Sequence, residues 1–493
     1  MINKNLIFLL PILILLLNQV HVNAVAQDYV PRNIDIERSP KNILVGSFLG
    51  GRSHLKPVLD VATILIERGH NVILLTTGKY EPSSEYPGLK QITLGSKTLT
   101  PKNSSNLHKD NDDYKILIHL MRLATEAYNV TYEKFKNTAK ENNIDLFICD
   151  VLASQACIDV GNNLNKPVVG FIASMQMMEP KSYKSDPIFG CNISLENESF
   201  FERFRCTLIQ PLEIAYAYKP FVRQLNDIRD QMNIKSVSEI VPKVSLALID
   251  TFFGFELPQS TAPNVQEIGP VLSEEYPPLT PELSDFINGH KRVLYVAFGT
   301  RFFATIENNT KILQSLIEAI NNKIVDGVIW ALSETSKDEF NPTLTFTDVL
   351  PFAGDQMGNA QKLKSAGIAL SINKNALDVK DILNKIDFLL NDEHIKKNSK
   401  RMKYLARINS NRKYRAADLI EYMLYSSGLN EYLDDDFLKE WIPAESRMGF
   451  IKANNLDVYG VLFIIILALI GIAFKLIKYT SNSLFDRKKS KQA

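Results

Sequence analysis

Cysteine and histidine are both scarce. Four cysteines and seven histidines are spread over 493 residues, with no Cys-x-x-Cys pair and no histidine cluster at ligand spacing, so a metal site is not expected. Net charge is nearly absent at +1, which argues against nucleic acid as a partner. No internal repeat and no long low-complexity tract appears, so a solenoid is excluded. The Gly50-Gly51 pair lacks the Gly-x-Gly-x-x-Gly spacing of a dinucleotide fingerprint. Cys191 and Cys206 are close enough in sequence to form a disulfide. Cys149 and Cys157 lie in an apolar strand-helix stretch and are expected to be buried thiols.

Long hydrophobic runs are few, and both carry topological information. Lys4, the apolar run Leu6 to Leu17 and the small residues Ala24-Val25-Ala26 have the order of a cleaved signal peptide, residues 1–26. The run is too short for a membrane anchor and stops at Asn18. The second run, Val458 to Phe474, is near the lower limit for a span, roughly 17 residues, and Leu476 and Ile477 extend it while Lys475 snorkels. A transmembrane helix is therefore expected over 458–477. Arg487, Lys488, Lys489 and Lys491 follow it in a basic tail, 478–493, which the positive-inside rule places in the cytosol with the bulk of the chain lumenal. The terminal Lys489-Ser490-Lys491-Gln492-Ala493 resembles a dilysine retrieval signal; a plain topology anchor is the alternative. The expected location is the endoplasmic reticulum or another secretory-pathway membrane, single-pass. Five sequons, at Asn103, Asn129, Asn192, Asn197 and Asn308, suit a glycosylated lumenal chain.

Between these segments, apolar strands alternate with helices. Asn42 to Phe48 reads as a buried strand, Leu55 to Arg68 as a helix with Pro57 in its first turn and Gly69 past its end, and Asn71 to Thr76 as a second strand. The spacing predicts one long helical stretch over Ile116 to Ala139, a strand over Asp145 to Cys149, a helix over Ser154 to Asn163, and strands over Pro167 to Ile172 and Val244 to Ile249. Lys181 to Ser236 reads as irregular and aromatic, wrapping a binding surface. Six prolines from Pro258 to Pro281 mark a domain boundary. Strands over Val293 to Phe298 and Gly327 to Leu332 then flank a helix over Ile306 to Asn321. A helix running to Ala366, a strand over Ile368 to Ile372 and helices from Asp378 to about Tyr425 follow. This alternation predicts an α/β protein of two facing doubly wound, Rossmann-like domains. The domains are drawn at 27–265 and 266–430, with a return and juxtamembrane segment at 431–457.

Several segments resemble the membrane-bound UDP-glycosyltransferases, the family that includes the UDP-glucuronosyltransferases. They are Gly50-Gly51-Arg52-Ser53-His54, Thr251-Phe252-Phe253-Gly254-Phe255-Glu256 and Asn264-Val265-Gln266-Glu267-Ile268-Gly269-Pro270. Val296-Ala297-Phe298-Gly299-Thr300, Leu350-Pro351-Phe352-Ala353-Gly354-Asp355-Gln356 with Asn359-Ala360, and the anchor beginning Leu456-Asp457-Val458 add to these. The resemblance implies the glycosyltransferase B fold, with an N-terminal acceptor domain and a C-terminal UDP-sugar domain. It implies inverting transfer of a hexose from a UDP-sugar to a hydroxyl of a small apolar acceptor such as a sterol, lipid or phenol. UDP-sugar is then a co-substrate and no cofactor is expected. Self-association is left open.

An acceptor hydroxyl must lose its proton as it attacks the anomeric carbon, and a neutral imidazole suits that near pH 7. His54 follows the first strand, and Asp150 ends another strand of the same sheet, where its carboxylate could orient the imidazole. The resemblance matches these two positions to the family's catalytic pair; a satisfied turn histidine and a helix N-cap are the plainer alternatives. Asp355 and Gln356 match donor-sugar contacts, or else start a helix, and Thr300 matches a position near the diphosphate, or else is a turn residue.

The donor domain departs from the family pattern. Where the family has a Pro-Gln uracil loop and a His-Gly-Gly turn opening a diphosphate-binding helix, this chain has only the 17 residues from Ser333 to Val349, without helical periodicity and with Asn341-Pro342. A parallel crossover needs a dozen or more residues, usually with a helix, so at least one strand-helix unit is expected to be missing. The readings are a UDP-glycosyltransferase by descent, a catalytically impaired relative acting as a lumenal binding or partner subunit, and an unrelated tethered receptor with two α/β lobes.

Overall fold

The computed structural model describes residues 39–96, 114–172, 199–234, 244–256, 261–273, 276, 278–297, 306–331, 355–373, 376–426 and 449–489. Its first sheet has seven parallel strands: β1 (Asn42–Ser47), β2 (Asn71–Thr77), β3 (Lys90–Gly95), β4 (Leu146–Asp150), β5 (Val168–Ile172), β6 (Leu246–Ile249) and β7 (Val265–Glu267). Their order is β3-β2-β1-β4-β5-β6-β7. The chain winds outward from β1 to one edge and then, from β4, to the other. The boundary drawn after residue 265 falls inside β7, because Val265 to Glu267 pairs with β6.

Burial on both faces explains the apolar strand runs. All five residues of β4 are buried, as are Ile43 to Ser47 of β1. One face is covered by α1 (Arg52–Glu67), whose Leu55, Val58, Leu59, Ala62 and Leu65 form a buried stripe at helical spacing. The other is covered by α3 (Tyr128–Glu141) and α4 (Gln155–Asn163).

Helix α1 starts three residues earlier than its apolar pattern indicates. Gly51 takes the extended N-cap conformation, and the His54 and Leu55 amides donate to its carbonyl at 3.0 and 2.9 Å. Pro57 is therefore in the second turn, and His54 is in the first turn of a helix rather than in a glycine turn. The expected long helix over 116–139 is two helices, α2 (Tyr114–Glu126) and α3, broken at Ala127. The segment expected to be irregular is largely helical where described: α5 (Phe200–Phe204), a π turn (Arg205–Ile209) and α6 (Gln210–Gln231). Ser199 starts it with a capping box closed by Glu202, a local signal that the aromatic composition obscured.

Cys149 and Cys157 are fully buried but are not thiols: they form a disulfide, with 5.9 Å between their Cα atoms. Helix α4 packs on β4 closely enough for the two side chains to meet. Cys206 is disulfide-bonded as well, whereas Cys191 lies outside the described residues.

Beyond the proline-rich stretch come α7 (Pro281–Gly289), β8 (Val293–Ala297), α8 (Ile306–Asn321) and β9 (Gly327–Ala331). Strands β8 and β9 pair in parallel, and among the described residues their sheet has these two strands only. Helices α9 (Asp355–Ser365), α10 (Val379–Asn391), α11 (Glu393–Ser410) and α12 (Arg412–Ser426) follow. The strand expected at 368–372 is absent: these residues are irregular, although Ile372 still packs with Ile312, Leu316 and Ile382. A strand needs a neighbour to bond with, and among the described residues none pairs with this segment.

Helix α12 returns to the first sheet. Its Ala416, Ala417, Leu419, Ile420 and Met423 join the core under α1. Buried Glu421 accepts from Arg68 at 2.5 Å and lies 3.2 Å from His70 Nε2, while Arg68 also reaches Asp418 at 2.8 Å. Glu421 and His70 are buried whereas Arg68 and Asp418 reach solvent, so the clasp ties α12 to the end of α1 from the core out to the surface. After α13 (Phe450–Ala453) comes α14 (Leu456–Lys489), of which Leu456–Tyr479 is long and apolar enough to cross a membrane.

Asp250, just after β6, accepts from the Val271 amide at 2.7 Å. Desolvation pushes its carboxyl up to about 7 against that hydrogen bond, and the nearby Asp60 carboxylate adds to the rise. The folded chain therefore holds a proton that the unfolded chain, with an aspartate near about 3.9, releases. Stability falls as pH rises between those values and is level above the higher one. Asp250→Asn is expected to match wild type in melting temperature at pH 4 and to exceed it increasingly up to pH 7. Equal melting temperatures at pH 8 would contradict this.

Candidate functional site

The winding direction reverses between β1 and β4, and at such a switch point the loops leaving the carboxyl ends of neighbouring strands part to leave a crevice. Here His54 lies in the first turn of α1, just past the loop after β1, and Asp150 is the last residue of β4. His54 Nδ1 lies 3.3 Å from Asp150 Oδ2, with the imidazole one-quarter exposed and the carboxylate 6% exposed. The approach is oblique: the two groups are in electrostatic contact without the alignment of a directed hydrogen bond. Asp150 is held from other sides, since Ser47 Oγ donates to Oδ2 at 2.8 Å and the Leu152 amide to Oδ1 at 3.2 Å.

The two loops are tied to each other. The Phe48 amide donates to Ser154 Oγ at 3.0 Å, and Thr77 Oγ1 donates to the Phe48 carbonyl at 2.8 Å. Gly50 has a left-handed φ of +61°, and a Cβ there would collide with the Thr77 backbone and side chain, so the turn before α1 requires glycine. Ala153 also adopts a left-handed φ, +61°, inside the loop after Asp150. Leu120 and Ala124 of α2 pack on Phe48, Leu49 and Ala153, roofing both loops with apolar side chains. A neutral imidazole whose Nδ1 side is occupied by a carboxylate leaves Nε2 to accept a proton, and the buried carboxylate stabilises the resulting cation.

Arg52 and Lys56 flank His54 on α1 and are engaged elsewhere. Arg52 binds the Glu81 carbonyl and Glu85, and Lys56 donates to Ser273 Oγ at 2.7 Å. Glu85 is held below the usual carboxylate range by hydrogen bonds from Arg52 and Tyr80, which outweigh its desolvation.

The remaining predicted positions are less fully described. Asp355 and Gln356 open α9, as the helix-start alternative has it, and their side chains lie outside the described residues. Thr300, Asn103, Asn192 and Asn197 also lie outside them. Asn129 is exposed in the first turn of α3, and Asn308 is half-buried in α8. Sequence reasoning missed the buried pair of Lys362 and Glu256, with Nζ 2.6 Å from Oε2 and Thr251 Oγ1 donating to the same oxygen at 3.0 Å. Lys362 is seven residues past Asp355, on the same face of α9, so this pair fixes the helix against the 251–256 motif. That spacing was the available signal. Among the described residues no three His, Cys, Asp or Glu side chains gather where a metal ion could sit.

A parallel doubly wound sheet with its polar pair at the switch point, followed by a second α/β segment, is the arrangement of a glycosyltransferase of the B fold. The model superposes on the crystal structure of the glycotransferase of kitacinnamycin with a TM-score of 0.57 at 17% identity, covering 78% of this chain and 100% of that one. The chain belongs to the UDP-glucoronosyl and UDP-glucosyl transferase family, whose model matches residues 171–346 and 347–491. Transfer of a sugar from a UDP-sugar is the reaction of that family. UDP-glycosyltransferase 1 of Phaeomoniella chlamydospora is 26% identical over 76% of this chain and 91% of its own length. A UDP-glycosyltransferase of Talaromyces amestolkiae is 25% identical over 91% of this chain and 99% of its own.

The family match breaks between 346 and 347, inside the stretch from Ser333 to Val349. The alignment with the Talaromyces amestolkiae protein runs over 537 residues, more than the 493 of this chain, so part of that relative has no counterpart here.

Proposed function

We infer that this chain carries the acceptor-activating half of an inverting UDP-hexose transferase for small apolar alcohols or phenols. The observation that carries this reading is the His54–Asp150 contact at the switch point. The acceptor hydroxyl gives its proton to His54 Nε2 as its oxygen attacks the anomeric carbon. UDP leaves from the opposite face, inverting that centre, and Asp150 orients the imidazole and offsets its positive charge. Asp355 and Gln356 serve the sugar hydroxyls, and Thr300 lies near the diphosphate. No cofactor takes part beyond the UDP-sugar itself. An apolar acceptor is supported by the roof of Leu120 and Ala124 and by the run of α5, the π turn and α6, where Phe200, Phe204, Leu208 and Leu212 are exposed at four-residue spacing. A thermal-shift screen of phenols, sterols and long-chain alcohols is expected to find stabilising ligands without any UDP-sugar present. A screen with no ligand would count against an intact acceptor site.

A second reading, a binding or partner subunit with impaired turnover, is favoured by one observation, the short Ser333 to Val349 segment. In the family the missing part meets the charge developing on the departing UDP.

The proposed placement is single-pass in a secretory-pathway membrane, with Leu456–Tyr479 as the span, the bulk lumenal and the basic tail cytosolic. Exposed Asn129 is one acceptor for glycosylation among the five sequons. Endoglycosidase treatment of the chain from microsomes should increase its gel mobility, and protease added outside sealed microsomes should spare the bulk. Unchanged mobility together with digestion of the bulk would defeat this topology.

A further inference from the structure

We propose that the Cys149–Cys157 disulfide positions the transfer site by holding the Asp150 loop closed. The inference rests on the reading of His54 and Asp150 as the acceptor-activating pair, and it concerns what keeps them together.

Cys149 is the residue before Asp150 and the penultimate residue of β4; Cys157 is in the first turn of α4. The bond between them closes a loop whose first member is Asp150. That loop contains Ala153 in a left-handed conformation, which an alanine adopts only when its surroundings enforce it. It also contains Ser154, whose hydroxyl accepts from the Phe48 amide and so couples this loop to the one that leads to His54. The disulfide is enclosed: both half-cystines are 0% exposed, and a Cβ at Gly46 on β1 would collide with Cys157 Sγ and the Phe135 ring. The cross-link is thus wedged between β1, β4, α3 and α4, directly beneath the switch point.

The loop is also held by a backbone bond from the Val151 amide to the Phe171 carbonyl and by the packing of Val151 on Ile172 and of Ala153 on Phe48 and Leu120. Asp150 receives Ser47 Oγ and the Leu152 amide, and its approach to His54 is oblique, so neither contact alone fixes the carboxylate. A covalent tie one residue away adds a restraint that side-chain hydrogen bonds alone do not give, against a swing of Asp150 off the imidazole. Disulfides persist in oxidising compartments, so the site is assembled in a chain that folds in the secretory lumen.

The experiment compares the full chain in detergent with two double variants, Cys149→Ala/Cys157→Ala and Cys149→Ala/Cys157→Val. Both lack the bond, and the second restores volume beside Gly46. Two rates are read by mass spectrometry: deuterium exchange at the Phe48 and Leu152 amides, and diethylpyrocarbonate modification of His54. Both are expected to rise severalfold in both variants, with exchange in β2 and β5 unchanged. A bond that only fills space would be rescued by valine, and one that only adds global stability would raise exchange throughout the sheet; either result overturns the proposal. The intact chain gives a reading that does not depend on the variants folding. Its Phe48 and Leu152 amides should exchange as slowly as those of β4, and a non-reduced peptide map should link 149 to 157. Loop-like exchange, or free thiols at both positions, would overturn it. These readings report geometry rather than turnover, so they stand or fall independently of whether His54 is the base.

Discussion

Inserting between Leu332 and Leu350 the longer stretch that intact family members carry there is expected to raise hexose transfer from UDP-sugar by about 100-fold or more. UDP leaves with negative charge developing on its phosphate oxygens. Preorganised backbone amides and a helix N-terminus stabilise that charge, and loss of even one such donor typically costs ~100-fold in rate. Ser333 to Val349 carries neither a glycine-rich turn nor a helical pattern to supply such donors. The insert should also give residues 368–372, irregular here, a neighbour to pair with, so that they become a strand. The check is transfer of labelled sugar from UDP-glucose to a panel of phenols in microsomes bearing each chain. A graft that folds and leaves transfer unchanged would mean that the short segment is not what limits the reaction.

Replacing His54 by alanine is expected to remove roughly 100-fold to 10,000-fold of the transfer rate of that restored chain, the usual contribution of a positioned general base. The loss should fall on kcat, with the acceptor KM little changed, because the imidazole acts on a proton in flight and not on the bound ring or chain. Asp150→Asn should give an intermediate loss of the same kind. It keeps the shape and the Ser47 contact but removes the charge that stabilises the imidazolium. Steady-state kinetics over a range of acceptor concentration separates the two constants. A rise in KM with kcat preserved would reassign His54 to acceptor binding, and no effect of either variant would remove the pair from the mechanism.

The features legible in the sequence were those with local causes. The Ile43-Leu44-Val45 run, the Leu146-to-Cys149 run and the Val168-Val169 pair could only be strands buried on both faces, and alternation with helices made the sheet parallel. His54 and Asp150 lie at the ends of such strands, and it was the family resemblance that singled them out as a pair. The errors had local as well as distant causes. Pro57 seemed to mark the first helical turn, but Gly51 had already started the helix. Cys149 and Cys157 read as inert thiols because spacing alone does not show that α4 lies against β4. The strand expected at 368–372 had the right composition and no partner. Lys362 and Glu256, separated by more than a hundred residues, meet only once α9 packs on the 251–256 motif.

An acceptor half able to bind its ligand and a donor half without a diphosphate grip is the division proposed above. Isothermal calorimetry of UDP against the purified full-length chain in detergent tests that division directly. The account predicts no saturable heat in the micromolar range, with the chain folded and still stabilised by an apolar acceptor in the same preparation. Micromolar UDP binding would show that another segment holds the diphosphate and would contradict the account.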